Sequence, residues 1–171
     1  SIGVHAPGRK DYKAAIAAAH HTSLAHGLAT RAIKKISPDA KVGITVNLTN
    51  YVNENPEDPS LAEVVDLLDG NLNRWWIGGI QEGKYPETLV RAYGELMDGL
   101  IHDSDMELVK CQNDFLGINY YSDSFVSSAR PEDKLFSEGA YLPLNVRANT
   151  SVPERFKAGL TDIGWPVTPW G

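Results

Sequence analysis

Residues 41–48 read KVGITVNL and residues 114–121 read DFLGINYY, and these two stretches decide the fold. In the first, Val42, Ile44, Val46 and Leu48 alternate with Gly43, Thr45 and Asn47. Successive side chains of a strand point to opposite faces, so one face is apolar and the other ends in an amide. The second stretch splits the same way, with Leu116, Ile118 and Tyr120 against Phe115, Gly117, Asn119 and Tyr121. Both are expected to be strands that carry polar groups at their carboxyl ends.

Helical segments surround the strands. Asp11 is placed to cap a helix from Tyr12 to about Ile36, in which Ile16, Leu24, Leu28 and Ala32 recur at four-residue spacing as one stripe to bury. Ser37-Pro38-Asp39 stops it. Residues 51–59, rich in Asn, Pro and acids, read as a loop, and Ser60 with Glu63 makes a capping box for a second helix. That helix carries Leu61, Val64, Val65, Leu68 and Leu72 towards Trp75 and Trp76 and is expected to end before Gly78-Gly79. Pro86 sits at a first helical position and opens a third helix through Leu89, Ala92, Tyr93 and Leu96; a short fourth spans 105–111. Residues 122–171 have little periodicity and are broken by Pro131, Pro143, Pro153, Pro166 and Pro169. They read as a long irregular excursion, a kind of segment that usually carries function or is disordered.

Helix, strand, helices, strand is the rhythm of a parallel α/β sheet whose crossover helices cover it. Two strands do not make a sheet that stands alone. A closed eight-stranded barrel takes on the order of 250 residues, so 171 residues with two strands predict a single partial domain over 1–171, completed by the remaining segments of the same barrel.

Composition narrows the partners. The chain has 16 basic and 22 acidic residues and a net charge of −6, so it lacks the cationic field that draws a protein onto phosphate backbones or anionic lipid. Neither nucleic acid nor a membrane is expected as a partner. The one cysteine, Cys111, has no internal disulfide partner, and residues 1–5 have neither a charged nor an apolar leader character. A reducing, cytoplasmic location is therefore expected. His20, His21 and His26 share the first helix, but spacings of six and five residues point them to different faces, unlike the i, i+4 pairs that ligate metals. No metal and no cofactor are expected, and the imidazoles read as buried hydrogen-bonded groups.

Four motifs carry a resemblance: His5-Ala6-Pro7-Gly8; His20-His21 with Leu24-Ala25-His26-Gly27; Gly83-Lys84-Tyr85-Pro86; and Asp114 through Tyr121. With Asn73-Arg74-Trp75 and the late Gly164-Trp165-Pro166-Val167, the chain resembles the family 1 glycoside hydrolases, the β-glucosidase family, from about Gly3 to Phe125 and again from Thr161, leaving 127–160 in a variable loop. The resemblance implies an α/β fold that is part of a (β/α)8 TIM barrel, about strands 5 and 6 with helices 4 and 5 and the loop after strand 6. It implies a retaining β-glycosidase acting on a β-glucoside or small oligosaccharide. Both glutamates of that chemistry, in a Thr-x-Asn-Glu-Pro motif upstream and an Ile/Val-Thr-Glu-Asn-Gly motif downstream, are absent here, so neither catalytic carboxylate is expected in this chain, which by itself should be inactive. Gly78-Gly79 departs from the family's frequent Asp-Pro, and Cys111 stands where Gly is common.

Retaining glycosidases need two carboxyl groups roughly 5 Å apart. The acids of this chain do not supply them: Glu54, Glu57, Asp58, Asp103 and Asp105 lie in loops and helix starts, and Asp114 opens its strand at the end away from a barrel's catalytic mouth. Parity instead selects Asn47, Asn119 and Tyr121, because their alternating partners are apolar enough to face the surrounding helices. The resemblance adds roles, in which Tyr121 hydrogen-bonds the nucleophile carboxylate, Asn119 lines the glycone pocket beside it, and Asn47 lies towards the aglycone. Inward polar residues satisfied within a barrel core are the competing reading. Trp75 and Trp76 are expected to be core, Trp165 and Trp170 remain open as sugar-stacking platforms, and Phe125, Phe136 and Tyr141 share the loop expected to meet the aglycone. The alternative function is a catalytically inactive module that binds carbohydrate or docks a partner through Trp165, Trp170 and the loop.

Overall fold

A computed structural model describes residues 8–102, 104–128, 148–149 and 153–170. Helix α1, Tyr12–Ile36, begins where Asp11 accepts the Ala14 amide at 2.9 Å, as the sequence predicts, but of the expected stripe only Ile16 is buried: the covered face is Ile16, His20, Ser23, Gly27 and Thr30, and Leu28 and Ala32 are exposed. Strands β1, Gly43–Leu48, and β3, Phe115–Tyr120, pair in parallel with Asn47 opposite Asn119 and Val46 opposite Ile118. Between them in sequence run β2 (Tyr51–Asn53), α2 (Pro59–Asp69), a π-helical turn (Gly70–Arg74), α3 (Trp75–Glu82), α4 (Glu87–Tyr93), a 3-10 turn (Gly94–Met97) and α5 (Asp105–Val109). The chain after β3 forms β4 (Ser124–Ser128), β5 (Ala148–Asn149) and a 3-10 turn over Glu154–Gly159.

Several expectations are corrected. The second helix is capped by Asp58, which accepts the Ser60 amide at 3.0 Å and the Ser60 hydroxyl at 2.6 Å, so Pro59 takes the first helical turn and Ser60 is no cap. The helix does not stop before Gly78-Gly79; it passes through a π turn and continues to Glu82, where Gly83 closes it in the left-handed conformation at φ 72°. The glycine pair survives inside a helix because of packing: a Cβ on Gly79 would lie 2.8 Å from the Tyr85 ring. Pro86 is the N-cap of α4, with extended ψ, and the first helical residue is Glu87. Residues 51–59 are not wholly loop and 122–171 are not wholly irregular, because Tyr51–Asn53 pairs in parallel with Ser124–Val126, and β4 pairs with β5 in the opposite sense.

The core lies in the helical layer and beneath this second sheet. Ile16, Leu61, Leu68, Trp75, Leu89, Tyr93, Tyr51 and Val126 form one buried cluster. Trp75 stacks on Tyr85 with ring centroids 3.7 Å apart, so the expectation that it is core is met. The apolar faces of β1 and β3 fare differently. Ile44 and Val46 meet Trp76, Ile77 and Ile80 of α3 across a cavity of about 280 Å³, whereas Leu116 and Ile118 are 39% and 58% exposed. Leu116 reaches the rim of that same cavity, while Ile118 is the more open of the two.

Candidate functional site at the carboxyl ends of the parallel strands

Two glycines build the polar face of the small sheet. A Cβ on Gly117 would lie 2.5 Å from Thr45 Oγ1, and one on Gly43 would lie 2.6 Å from the Phe115 ring. The side chain of each neighbour therefore lies over the glycine, and the register then places Asn47 and Asn119 side by side at the open end. Both amides are exposed. Tyr121 follows one residue after β3; it is 61% exposed and its ring meets Trp165 edge to face at 5.3 Å and 70°. Asn47, Thr49, Tyr121, Asp123 and Trp165 line one open depression of about 340 Å³. Asn119 stands beside Asn47 on the sheet but is not among the residues that line this depression.

Asn73, in the π turn, holds the end of β1. Its Oδ1 accepts the Thr49 amide at 3.0 Å, and its Nδ2 donates to the Thr49 carbonyl at 2.8 Å and to Asp69 at 2.7 Å. Each extra residue in a π turn rotates the following side chains relative to an α-helix, and here the rotation aims an amide at a strand end.

Sequence reasoning missed a buried polar cluster under Tyr121. Asp123 is buried; its Oδ1 accepts from the Tyr120 hydroxyl at 2.6 Å and from Asn50 Nδ2 at 3.0 Å, and its amide donates to Thr168 Oγ1 at 3.0 Å. Thr168 Oγ1 lies 2.7 Å from the Tyr120 hydroxyl. The only local hint is the tyrosine: a hydroxyl on the apolar side of its strand calls for a partner. Nothing in Ser122-Asp123-Ser124 distinguishes a buried aspartate from a solvated loop acid.

Phe125, expected to meet an aglycone, is buried on β4 with the Arg155 guanidinium 5.8 Å above its ring. Strand alternation puts it on the face opposite Val126, which belongs to the core cluster, so Phe125 is covered from the Arg155 side. Phe136 and Tyr141 lie outside the described residues. Trp170 lines a separate hollow with Thr49, Asn73 and Tyr120.

Charged groups elsewhere are structural. Asp114 sits at the amino end of β3, accepts from Lys34 at 2.6 Å and from the Val42 amide at 2.8 Å, and is held at about 2 by the Lys34 ammonium first and that amide second. His20 is fully buried between the Tyr85 hydroxyl at 2.9 Å and Asp105 at 3.1 Å. Burial pushes the Tyr85 phenol up to about 12. His26 meets Asn113 at 2.8 Å instead of a shared ligand. Among the described residues no three His, Cys, Asp or Glu side chains converge on one point, and no helix is long and apolar enough to cross a membrane.

The Glycosyl hydrolase family 1 model matches residues 1–171. The chain belongs to glycosyl hydrolase family 1. The match includes residues 127–160, which carry none of the motifs quoted above. A family member, Beta-glucosidase A of Acetivibrio thermocellus, is 31% identical over 99% of this chain, and the bifunctional beta-D-glucosidase/beta-D-fucosidase of Bifidobacterium breve is 33% identical over 96%. The chain spans about a third of the length of these relatives, 35% and 34% respectively. Among solved structures, a β-glucosidase from Exiguobacterium marinum superimposes with a TM-score of 0.81 at 26% identity over 99% of this chain and 35% of that one. The psychrophilic β-glucosidase BglU from Micrococcus antarcticus gives 0.78 at 34% identity over 98% and 37%. The α/β fold thus superimposes on about a third of each of these β-glucosidases.

Proposed function

We propose that this chain is a portion of a retaining β-glycosidase that hydrolyses β-glucosides, contributing about strands 5 and 6 of the barrel, as β1 and β3, with helices 4 and 5 and the loop after strand 6. The catalytic acid/base and nucleophile glutamates come from sequence outside the chain. Residues 1–171 form one part of a single catalytic domain. The observation that carries this reading is the register of β1 and β3, which sets Asn47 and Asn119 together on one face at the carboxyl ends of parallel strands, with Tyr121 next in line. Barrel enzymes assemble substrate and catalytic groups at that end.

In this reading Asn119 binds the glycone, Asn47 lies towards the aglycone, and the Tyr121 phenol donates to the nucleophile carboxylate. A donor to the ionised form lowers that carboxyl's pKa, keeping it a nucleophile where the acid/base partner is still protonated. Trp165, edge-on to Tyr121, offers an apolar face to the sugar or its aglycone. The relatives include a 6-phospho-beta-galactosidase of Clostridium acetobutylicum at 26% identity, so the family match by itself does not fix the glycone. A separately folding sugar-binding module is disfavoured by the exposure of Leu116 and Ile118, which a self-sufficient domain would bury.

The test is hydrolysis of a chromogenic β-glucoside by the full-length protein that contains this chain, with and without Tyr121→Phe. Losing one hydrogen bond to a charged group costs roughly 1.5–3 kcal/mol, so kcat is expected to fall by about ten- to a hundredfold, with the acid limb of the pH profile moving upward. Full activity in Tyr121→Phe, or turnover by residues 1–171 alone, overturns the reading.

A further inference from the structure

The short contacts among the Tyr120, Asp123 and Thr168 side chains have one consistent direction of proton donation. A backbone N–H can only donate, so Asp123 N gives its hydrogen to Thr168 Oγ1, 3.0 Å away. The carboxylate can only accept, so the Tyr120 hydroxyl gives its hydrogen to Asp123 Oδ1 at 2.6 Å. The 2.7 Å contact between Thr168 Oγ1 and the Tyr120 oxygen then has the threonine as donor, and the Thr168 carbonyl, 3.3 Å from the same phenol, is a longer alternative acceptor for its hydrogen. The three residues close a ring, Tyr120 to the Asp123 carboxylate, the Asp123 amide to Thr168 and the Thr168 hydroxyl back to Tyr120, in a part-buried site where such chains reinforce each other.

What the ring holds is the segment that carries Trp165. Residues 159–168 form a tight hairpin: the Thr161 amide donates to the Trp165 carbonyl at 2.8 Å, the Trp165 amide to Thr161 Oγ1 at 3.0 Å, and the Val167 amide to the Gly159 carbonyl at 3.1 Å. Gly164 turns its tip at φ 82°. This hairpin presents Trp165 to Tyr121, and Thr168 fixes its base to the end of β3.

We propose that Thr168 is a positioning residue for aglycone recognition: its hydroxyl closes the ring with Tyr120 and Asp123, and the ring fixes where Trp165 stands beside Tyr121. This rests on the β-glycosidase reading above. The ring touches no reacting atom and lies on the side of β3 away from Asn119, so loosening it shifts the aromatic wall and leaves the glycone face intact.

The experiment uses the full-length protein with Thr168→Val, which keeps the shape and removes the hydroxyl, Thr168→Ser, which restores it, and Tyr120→Phe, which breaks the ring at another corner. With a bulky aryl β-glucoside, Thr168→Val is expected to raise KM about tenfold, the effect of leaving a buried donor unpaired, with kcat within about twofold. Methyl β-glucoside, which has almost no aglycone to place, is expected to change less than about twofold in either parameter on the same ground. Thr168→Ser returns KM to the wild-type value, Tyr120→Phe reproduces the valine pattern, and the double variant Thr168→Val/Tyr120→Phe is no worse than either single one, because both break the same ring. Equal losses on both glucosides, no loss on either, failure of serine to rescue, or additive losses overturn the proposal. A wild-type protein that hydrolyses neither glucoside overturns the β-glycosidase reading instead. In that event amide exchange over 159–170 still decides the latch: exchange no faster in Thr168→Val than in wild type and Thr168→Ser refutes it.

Discussion

Replacing Asn73 by alanine removes a single side chain that holds a strand end from outside the sheet. The lost contacts are the Thr49 amide to Oδ1 at 3.0 Å, Nδ2 to the Thr49 carbonyl at 2.8 Å, and Nδ2 to Asp69 at 2.7 Å. A protein hydrogen bond contributes about 1 kcal/mol net, and more when a buried group is left unpaired. Both Asn73 and Thr49 are half-buried, so water replaces part of the loss and the sum is about 2 kcal/mol. The assay is denaturant unfolding of the full-length protein, with the midpoint expected to fall at unchanged slope, and amide exchange expected to quicken across β1 near Asn47. Asn73→Asp separates the contacts. It keeps an acceptor for the Thr49 amide, loses both donated bonds, and sets a second carboxylate against Asp69. It is therefore expected to be at least as destabilised as Asn73→Ala at neutral pH and to recover in acid, where one carboxyl of the pair gains a proton and can donate. A stability within about 0.5 kcal/mol of wild type for Asn73→Ala would refute the claim that the π turn holds the end of β1.

Gly27→Ala tests the crossing of α1 and α5, since a Cβ there would lie 1.9 Å from the Leu108 carbonyl oxygen. The helix gains up to about 1 kcal/mol in propensity, but overpacking costs about 1–3 kcal/mol, and the shift also strains the Arg31 guanidinium bonds to the Glu107, Leu108 and Lys110 carbonyls; unfolding measurements should find net destabilisation, and a stabilised variant refutes the packing. Asp114 ionises at about 2 in the folded chain against 3.8 ordinarily, so its contribution is complete above about pH 5 and disappears as pH falls through that lower value. The stability difference between wild type and Asp114→Asn should accordingly shrink between pH 4 and pH 2 on the order of these pKa values, and a difference level across that range contradicts the Lys34 contact.

The long helix, its Asp11 cap, both parallel strands and the division of their faces were legible from residues 11–48 and 114–121 because each signal is local. A cap acts over three residues and strand parity over two. The boundaries that failed were set either by a competing neighbour or by a distant partner. Ser60 with Glu63 matches a capping box, yet Asp58 reaches the free amides first because Pro59 pre-sets the first turn. Gly78-Gly79 looks like a stop, yet the helix runs on because Tyr85, stacked on Trp75, needs the space above Gly79. The segment Tyr51–Asn53 looks like loop until Ser124–Val126 arrives to pair with it.

The candidate site divides along the same line. By itself the sequence determined that Asn47 and Asn119 each stand opposite the apolar side of their own strand near its carboxyl end, since alternation along an extended backbone leaves a side chain only two directions. Only the tertiary structure decided that Asn47 and Asn119 are register partners, that Phe125 is buried beneath Arg155, and that Asp123 is buried with Thr168, 45 residues away. Those outcomes depend on which segments meet in space, and burial of a polar group is stable only once its far partners have arrived to satisfy it.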